Sequence, residues 1–131
     1  MLQNRTSKIY TPTKTIYRVE NPVTEHGMWY DNKGIFEPII HRLCPNGISK
    51  NLPMEFNPDH KRDGKDWFSA GKGIDNMQSW FSYEDIHLLL KNGFNLYEIK
   101  VSEWQEKDCE VLFTREGITE YKKIPISDIW K

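Results

Sequence analysis

The chain reads as an α+β domain: a single unit with a mixed or antiparallel sheet and two or three short helices. Three observations predict this. Segments that alternate apolar and polar residues with period two lie near the start and over the last forty residues. Two helical segments with capping signals sit side by side between them. Aromatic residues make up 13% of the 131 positions, ample material for one core and too much for a disordered chain. At this length one core is expected, spanning 1–131 with 1–14 as a loose polar lead-in.

The first strand is Thr15–Glu20. Ile16, Arg18 and Glu20 fall on one face, Tyr17 and Val19 on the other, and Asn21-Pro22 ends it because proline cannot donate to a ladder. Five of the seven prolines lie between residues 21 and 66, which marks that stretch as the loop-rich part. A short helix over 35–43 is predicted within it, from Phe36, Ile39, Ile40 and Leu43. A loop region of this length in a compact domain points to a lid or a binding loop. Asp66–Ala70 reads as a second strand, broken by Gly71-Lys72-Gly73. Asp75 with Gln78, then Ser82 with Asp85, read as the N-caps of two helices whose apolar faces are Met77, Trp80 and Phe81, and Ile86, Leu89 and Leu90. Asn92-Gly93 supplies the left-handed stop. Strands follow at 94–101, 109–115 and 118–124, with Glu116-Gly117 as a turn and 126–130 as a final turn or strand.

Charge excludes one class of function. Eighteen basic residues stand against nineteen acidic ones, and no part of the chain has the basic surplus that phosphate binding requires, so a nucleic-acid partner is not expected. No apolar run approaches the length that spans a bilayer, so no membrane partner is expected either. Two cysteines and no export signal suit a reduced cytoplasmic setting.

Several motifs fail on spacing. Gly71-Lys72 lacks the spacing and the Ser/Thr of a phosphate loop. His41 and Cys44 stand His-x-x-Cys, but no second pair completes a zinc site, and His26 and His60 lie alone. Neither Cys44 nor Cys109 has a signature of an activated nucleophile. Trp80 and Trp104 read as core. Trp29, in a loop beside Tyr30, is the better candidate for ligand stacking.

One constellation remains. Arg18, Ser69 and Glu110 each put a polar group in or beside an extended segment, and Asp108 and Glu110 point the same way at i and i+2. The same residues also read as structure. Arg18 can pair with Glu20 or with a carboxylate on a neighbouring strand, Ser69 can be a small residue in a tight strand, and Asp108-Cys109-Glu110 can be an exposed turn into a hairpin.

Tyr17-Arg18, Phe68-Ser69 and Asp108-Cys109-Glu110-Val111-Leu112 resemble, in order and approximate spacing over 15–115, the ADP-ribosyltransferases of the Arg–Ser–Glu class. Two positions depart from that family. Its Ser-Thr-Ser is Phe68-Ser69-Ala70 here, and its first glutamate is Asp108. The chain also resembles small uncharacterised phage and prophage proteins. The resemblance implies an ADP-ribosyltransferase-like fold and NAD as substrate. It implies Glu110 as the group that stabilises the ribosyl cation, Arg18 on the diphosphate or ribose, and Ser69 positioning Glu110. Tyr17 or Trp29 would stack the ring with Phe68 beside them, and Asp108 would orient an acceptor. The alternative is a non-catalytic phage-type protein that binds or inhibits a host protein or sequesters a nucleotide, in the host cytoplasm.

Overall fold

The computed structural model describes residues 12–27, 61–62, 64–107 and 110–130, the pair 61–62 by its backbone alone. The predicted helix over 35–43 lies outside them. The strands are β1 (Lys14–Glu20), β2 (Lys61–Arg62), β3 (Lys65–Asp66), β4 (Phe68–Ala70), β5 (Asn95–Val101), β6 (Trp104–Glu106), β7 (Val111–Phe113) and β8 (Ile118–Lys123). The helices are α1 (Ile74–Trp80) and α2 (Tyr83–Lys91), with 3₁₀ turns at Arg115–Gly117 and Ile126–Asp128. The α+β class therefore holds.

The strands form a larger sheet ordered β1-β5-β8, a smaller one ordered β4-β7-β6, and the β2-β3 pair, and every pairing among them is antiparallel. Tyr17 and Gly71 exchange two backbone hydrogen bonds, of 3.1 and 2.7 Å, and so tie β1 to the end of β4. A Cβ on Gly71 would come 2.5 Å from the Met77 sulfur, so a side chain there would have to displace the buried Met77 thioether.

The larger sheet is covered on both faces. On one, Val19, Leu96 and Ile124 pack against Met77, Trp80, Ile86 and Leu89 of the helices and Phe81 between them. On the other, Ile16, Tyr97, Ile99 and Val101 meet Ala70, Val111 and Phe113 of the smaller sheet. Strand alternation explains both sets, since register places Ile16 opposite Ile99 and Val19 opposite Leu96.

Four local expectations need correction. Asp66–Ala70 is not one strand: Trp67 separates β3 from β4, which pair in different sheets. The sequence pattern missed β2 and β6. Asp75 does not cap α1. The N-cap is Gly73, the Asn76 side chain accepts from Lys72 N at 2.8 Å in front of the helix, and Gln78 donates instead to Ile129 O at 2.8 Å. Trp104 is half-buried rather than a core residue, and its indole N–H donates to Pro12 O at 2.9 Å. The second helix begins as predicted, with a reciprocal Ser82–Asp85 capping box, and Gly93 after it has φ +98°.

Candidate functional site

The alternation of β1 sends Arg18 and Glu20 inward on the face of Ile16, where an apolar pair would be the ordinary choice. Arg18 is 4% exposed and Glu20 0%. Arg18 Nε donates to Glu20 Oε1 at 2.7 Å, and Arg18 Nη1 donates to the backbone carbonyl of Ser69 at 2.5 Å. Its guanidinium lies 5.6 Å from the Phe68 ring centre and 5.8 Å from that of Phe113.

Ser69 is the joint of the group. Its carbonyl faces the β4 edge that β1 approaches, and takes Arg18. Its hydroxyl donates to Glu110 Oε1 at 2.6 Å. This second contact follows from register. Ser69 stands opposite Leu112, and Glu110 precedes Leu112 by two residues, so both sit on the Leu112 face as a diagonal cross-strand pair. Glu110 is 5% exposed. Its Oε2 has no hydrogen-bond partner among the described residues and is not one of the fully enclosed polar atoms. Lys107 N donates to Glu110 O at 2.8 Å, closing the β6–β7 connection beneath it.

Glu20, which the sequence offered as a partner of Arg18, and two residues that it did not single out complete the cluster. Arg115, in the turn after β7, donates from Nη2 to Glu20 Oε1 at 2.5 Å and from Nη1 to Glu20 Oε2 at 3.3 Å. Its Nη2 also donates to Glu25 O at 2.9 Å, which holds the turn after β1, where Glu25 has φ +63°. The Arg115 guanidinium lies 5.1 Å from the Phe68 ring centre, so two cations flank one ring. Tyr121, stacked on Tyr97 at 4.4 Å, donates its hydroxyl to Glu20 Oε2. Burial alone raises the Glu20 carboxyl, but the Arg18 charge and the hydrogen bonds from Arg115 and Tyr121 outweigh it and hold it below the usual range. Burial and the Glu20 carboxylate raise Tyr121 and keep it protonated. The only available sequence signal for Glu20 was its i, i+2 relation to Arg18. Arg115 and Tyr121 lie 95 and 101 residues further along, with no local pattern to announce them.

The structure thus links Arg18, Ser69 and Glu110 through Ser69, with Arg18 on the Phe68 and Phe113 side of the small sheet and the Ser69 and Glu110 side chains on its other side. Tyr17 is not brought there. It lies on the opposite face of β1, its hydroxyl donates to Glu98 Oε2 at 3.4 Å, and it lines a separate hollow of about 550 Å³ with Lys72, Asp75 and Asn76. Trp29 and Asp108 lie outside the described residues. Among the described residues, no group of three or more His, Cys, Asp or Glu is placed to hold a metal, and no helix is long and apolar enough to cross a membrane.

Chemically, the cluster offers one carboxylate anchored by a serine hydroxyl through one oxygen and unpartnered on the other. A guanidinium fixed on two of its donors reaches the backbone carbonyl of the same serine from the side of Phe68 and Phe113. Compared with protein-family models, curated proteins and solved structures, the chain matches none.

Proposed function

We propose that this is an ADP-ribosyltransferase-like protein that binds NAD through the Arg18–Ser69–Glu110 group and cleaves the bond between nicotinamide and ribose. The observation that carries the reading is the joint at Ser69, whose carbonyl accepts from Arg18 at 2.5 Å and whose hydroxyl donates to Glu110 at 2.6 Å. Three residues from separate segments, in the order the resemblance implies, are linked by two hydrogen bonds.

NAD supplies a glycosidic bond to a cationic leaving group, and breaking it puts positive charge on the ribosyl carbon. A carboxylate held in place before the reaction stabilises that charge without having to reorganise. Glu110 suits this task, because Ser69 fixes one oxygen and leaves the other able to accept from a ribose hydroxyl. Arg18 contributes a permanent positive charge that favours phosphate or ribose oxygens, with its Nε and Nη1 engaged and its Nη2 enclosed. Phe68 lies against that guanidinium, so its ring supports the cation, and any stacking on nicotinamide uses surface that the guanidiniums leave open.

A second reading has its own support. Arg18 already spends Nε on Glu20 and Nη1 on Ser69, and both Arg18 and Glu110 are 5% exposed or less. These are traits of a fixed interior network, and they favour a non-catalytic protein that binds a nucleotide or a host protein. Incubation with NAD separates the two. Nicotinamide release that is abolished in Glu110→Gln, with the melting temperature of the variant unchanged, supports the transferase or glycohydrolase reading. Tight NAD binding without release supports the second reading, and absence of both binding and release rules out NAD as the ligand.

A further inference from the structure

Glu20 is the most enclosed charge in the described molecule, and it accepts from three different side chains: Arg18, Arg115 and Tyr121. A buried carboxylate is expensive unless every lone pair is used, and here both oxygens are engaged. The arrangement does more than neutralise charge. An arginine side chain has about 2 kcal/mol of rotamer entropy to lose before its fork can present a fixed geometry. Glu20 reaches Arg18 at Nε, the donor nearest the chain, and so sets the plane of the guanidinium, while the Ser69 carbonyl sets its tip at Nη1. Because Glu20 and Arg18 stand at i and i+2 on β1, the strand itself fixes the spacing between anchor and fork. Arg115 and Tyr121 hold the anchor in turn, from the turn after β7 and from β8.

We infer that Glu20 is a positioning residue of the NAD site: it orients the Arg18 guanidinium for the ligand, with Arg115 and Tyr121 holding Glu20 in place. The inference rests on the reading of Arg18 as a ligand-binding residue. It predicts that loss of the anchor weakens ligand binding while leaving the bond-breaking carboxylate, Glu110, on its own serine. A purely structural Glu20 would act differently, lowering the fraction of folded molecules and hence the apparent turnover at an unchanged KM.

The experiment uses the full chain and measures nicotinamide release against NAD concentration, with melting temperature recorded in parallel. The Glu20→Gln, Arg115→Gln double variant removes one negative and one positive charge together, so Arg18 loses the charge of its anchor without a second guanidinium left unpaired beside it. Glu20→Asp is the companion variant, keeping the charge but withdrawing the carboxylate by one methylene. In both, KM for NAD is expected to rise by about 10- to 100-fold, as for a ligand-binding group displaced by about an ångström. The maximal rate should change by less than about three-fold, the signature of lost binding common to ground and transition states. If the wild type binds NAD without turnover, the dissociation constant is read in place of KM and the same rise is expected. An unchanged KM in both variants, or a fall in rate alone, overturns the inference while the NAD reading stands. A wild type that neither binds nor cleaves NAD overturns the reading itself, and the inference with it.

Discussion

On one face of the β1-β5-β8 sheet, Val19, Leu96 and Ile124 close on Met77, Phe81, Ile86 and Leu89 in a hydrophobic cluster, whose polar neighbours include the buried Asp85 of the α2 cap and the Trp130 indole on Phe81 O. On the other face, Ile16 and Ile99 share the interior with Arg18 and Glu20, and Arg115 and Tyr121 reach in to them. The two sides are buried to similar depth but held by different physics. The apolar side is stabilised in proportion to the area it removes from water, and it degrades gradually when a methyl or methylene group is lost. The ionic side depends on completeness, because its favourable energy nearly cancels its desolvation cost and removing one partner exposes the whole penalty. A protein stabilised by packing alone has no need of a network of that kind. The network reaches the proposed site through the Arg18 contact on the Ser69 carbonyl.

The largest expected effect tests this contrast. Glu20→Ala leaves two guanidiniums in the interior without their shared carboxylate, and should lower unfolding free energy by about 3–5 kcal/mol in a urea titration. The same group gives the ionic side an acid limit. The Glu20 carboxyl is depressed below its ordinary value of 4.5, so its contribution is fully present above that pH and is lost as pH falls through the lower folded value. In Glu20→Gln that acid-linked loss should be missing from the stability–pH curve. A curve that keeps the full slope there would mean that other carboxylates carry it.

Next in size, Leu89→Ala on the helix side should cost about 2–5 kcal/mol through lost transfer energy and the cavity left among Ile86, Phe94 and their neighbours. It should do so without changing NAD binding. The comparison is broken if Leu89→Ala lowers NAD affinity as much as Glu20→Gln, because the two sides would then not be functionally separate.

How much of this was legible beforehand also divides along the sheet. The helix side was readable because its signals are local: Ser82 with Asp85 and the spacing of Ile86, Leu89 and Leu90 all lie within one helix. Asp75 misled because Gly73, with no side chain to declare itself, takes the cap while Asn76 closes the turn. On the ionic side, alternation placed Arg18 and Glu20 on one face, and motif order drew attention to Ser69 and Glu110. The Arg18–Glu20 pair was offered by the sequence, but the rest of the hub escaped detection because Arg115 and Tyr121 reach Glu20 across 95 and 101 residues, a distance over which no periodicity acts. Tyr17 lies apart from Arg18 for a simpler reason: it neighbours Arg18 in sequence, and period two puts neighbours on opposite faces.

The smallest effect sharpens the helix side of the contrast. Ser82 Oγ accepts from Asp85 N at 3.1 Å, and Asp85 Oδ2 accepts from Ser82 N at 3.4 Å. α2 has only nine residues, so these two bonds satisfy a good part of the donors its first turn would otherwise leave open. Ser82→Ala removes one acceptor and should cost about 1 kcal/mol, whereas Ser82→Gly, which keeps the extended backbone of the cap at little cost, should lose only about a few tenths. Amide exchange should accelerate first at Asp85, the donor freed by the substitution, while the Arg18–Glu20–Arg115 network, on the far face of the sheet, keeps its protection. Equal acceleration on both faces would show that the two cores unfold as one cooperative unit, and the separation drawn between them would then hold for composition but not for stability.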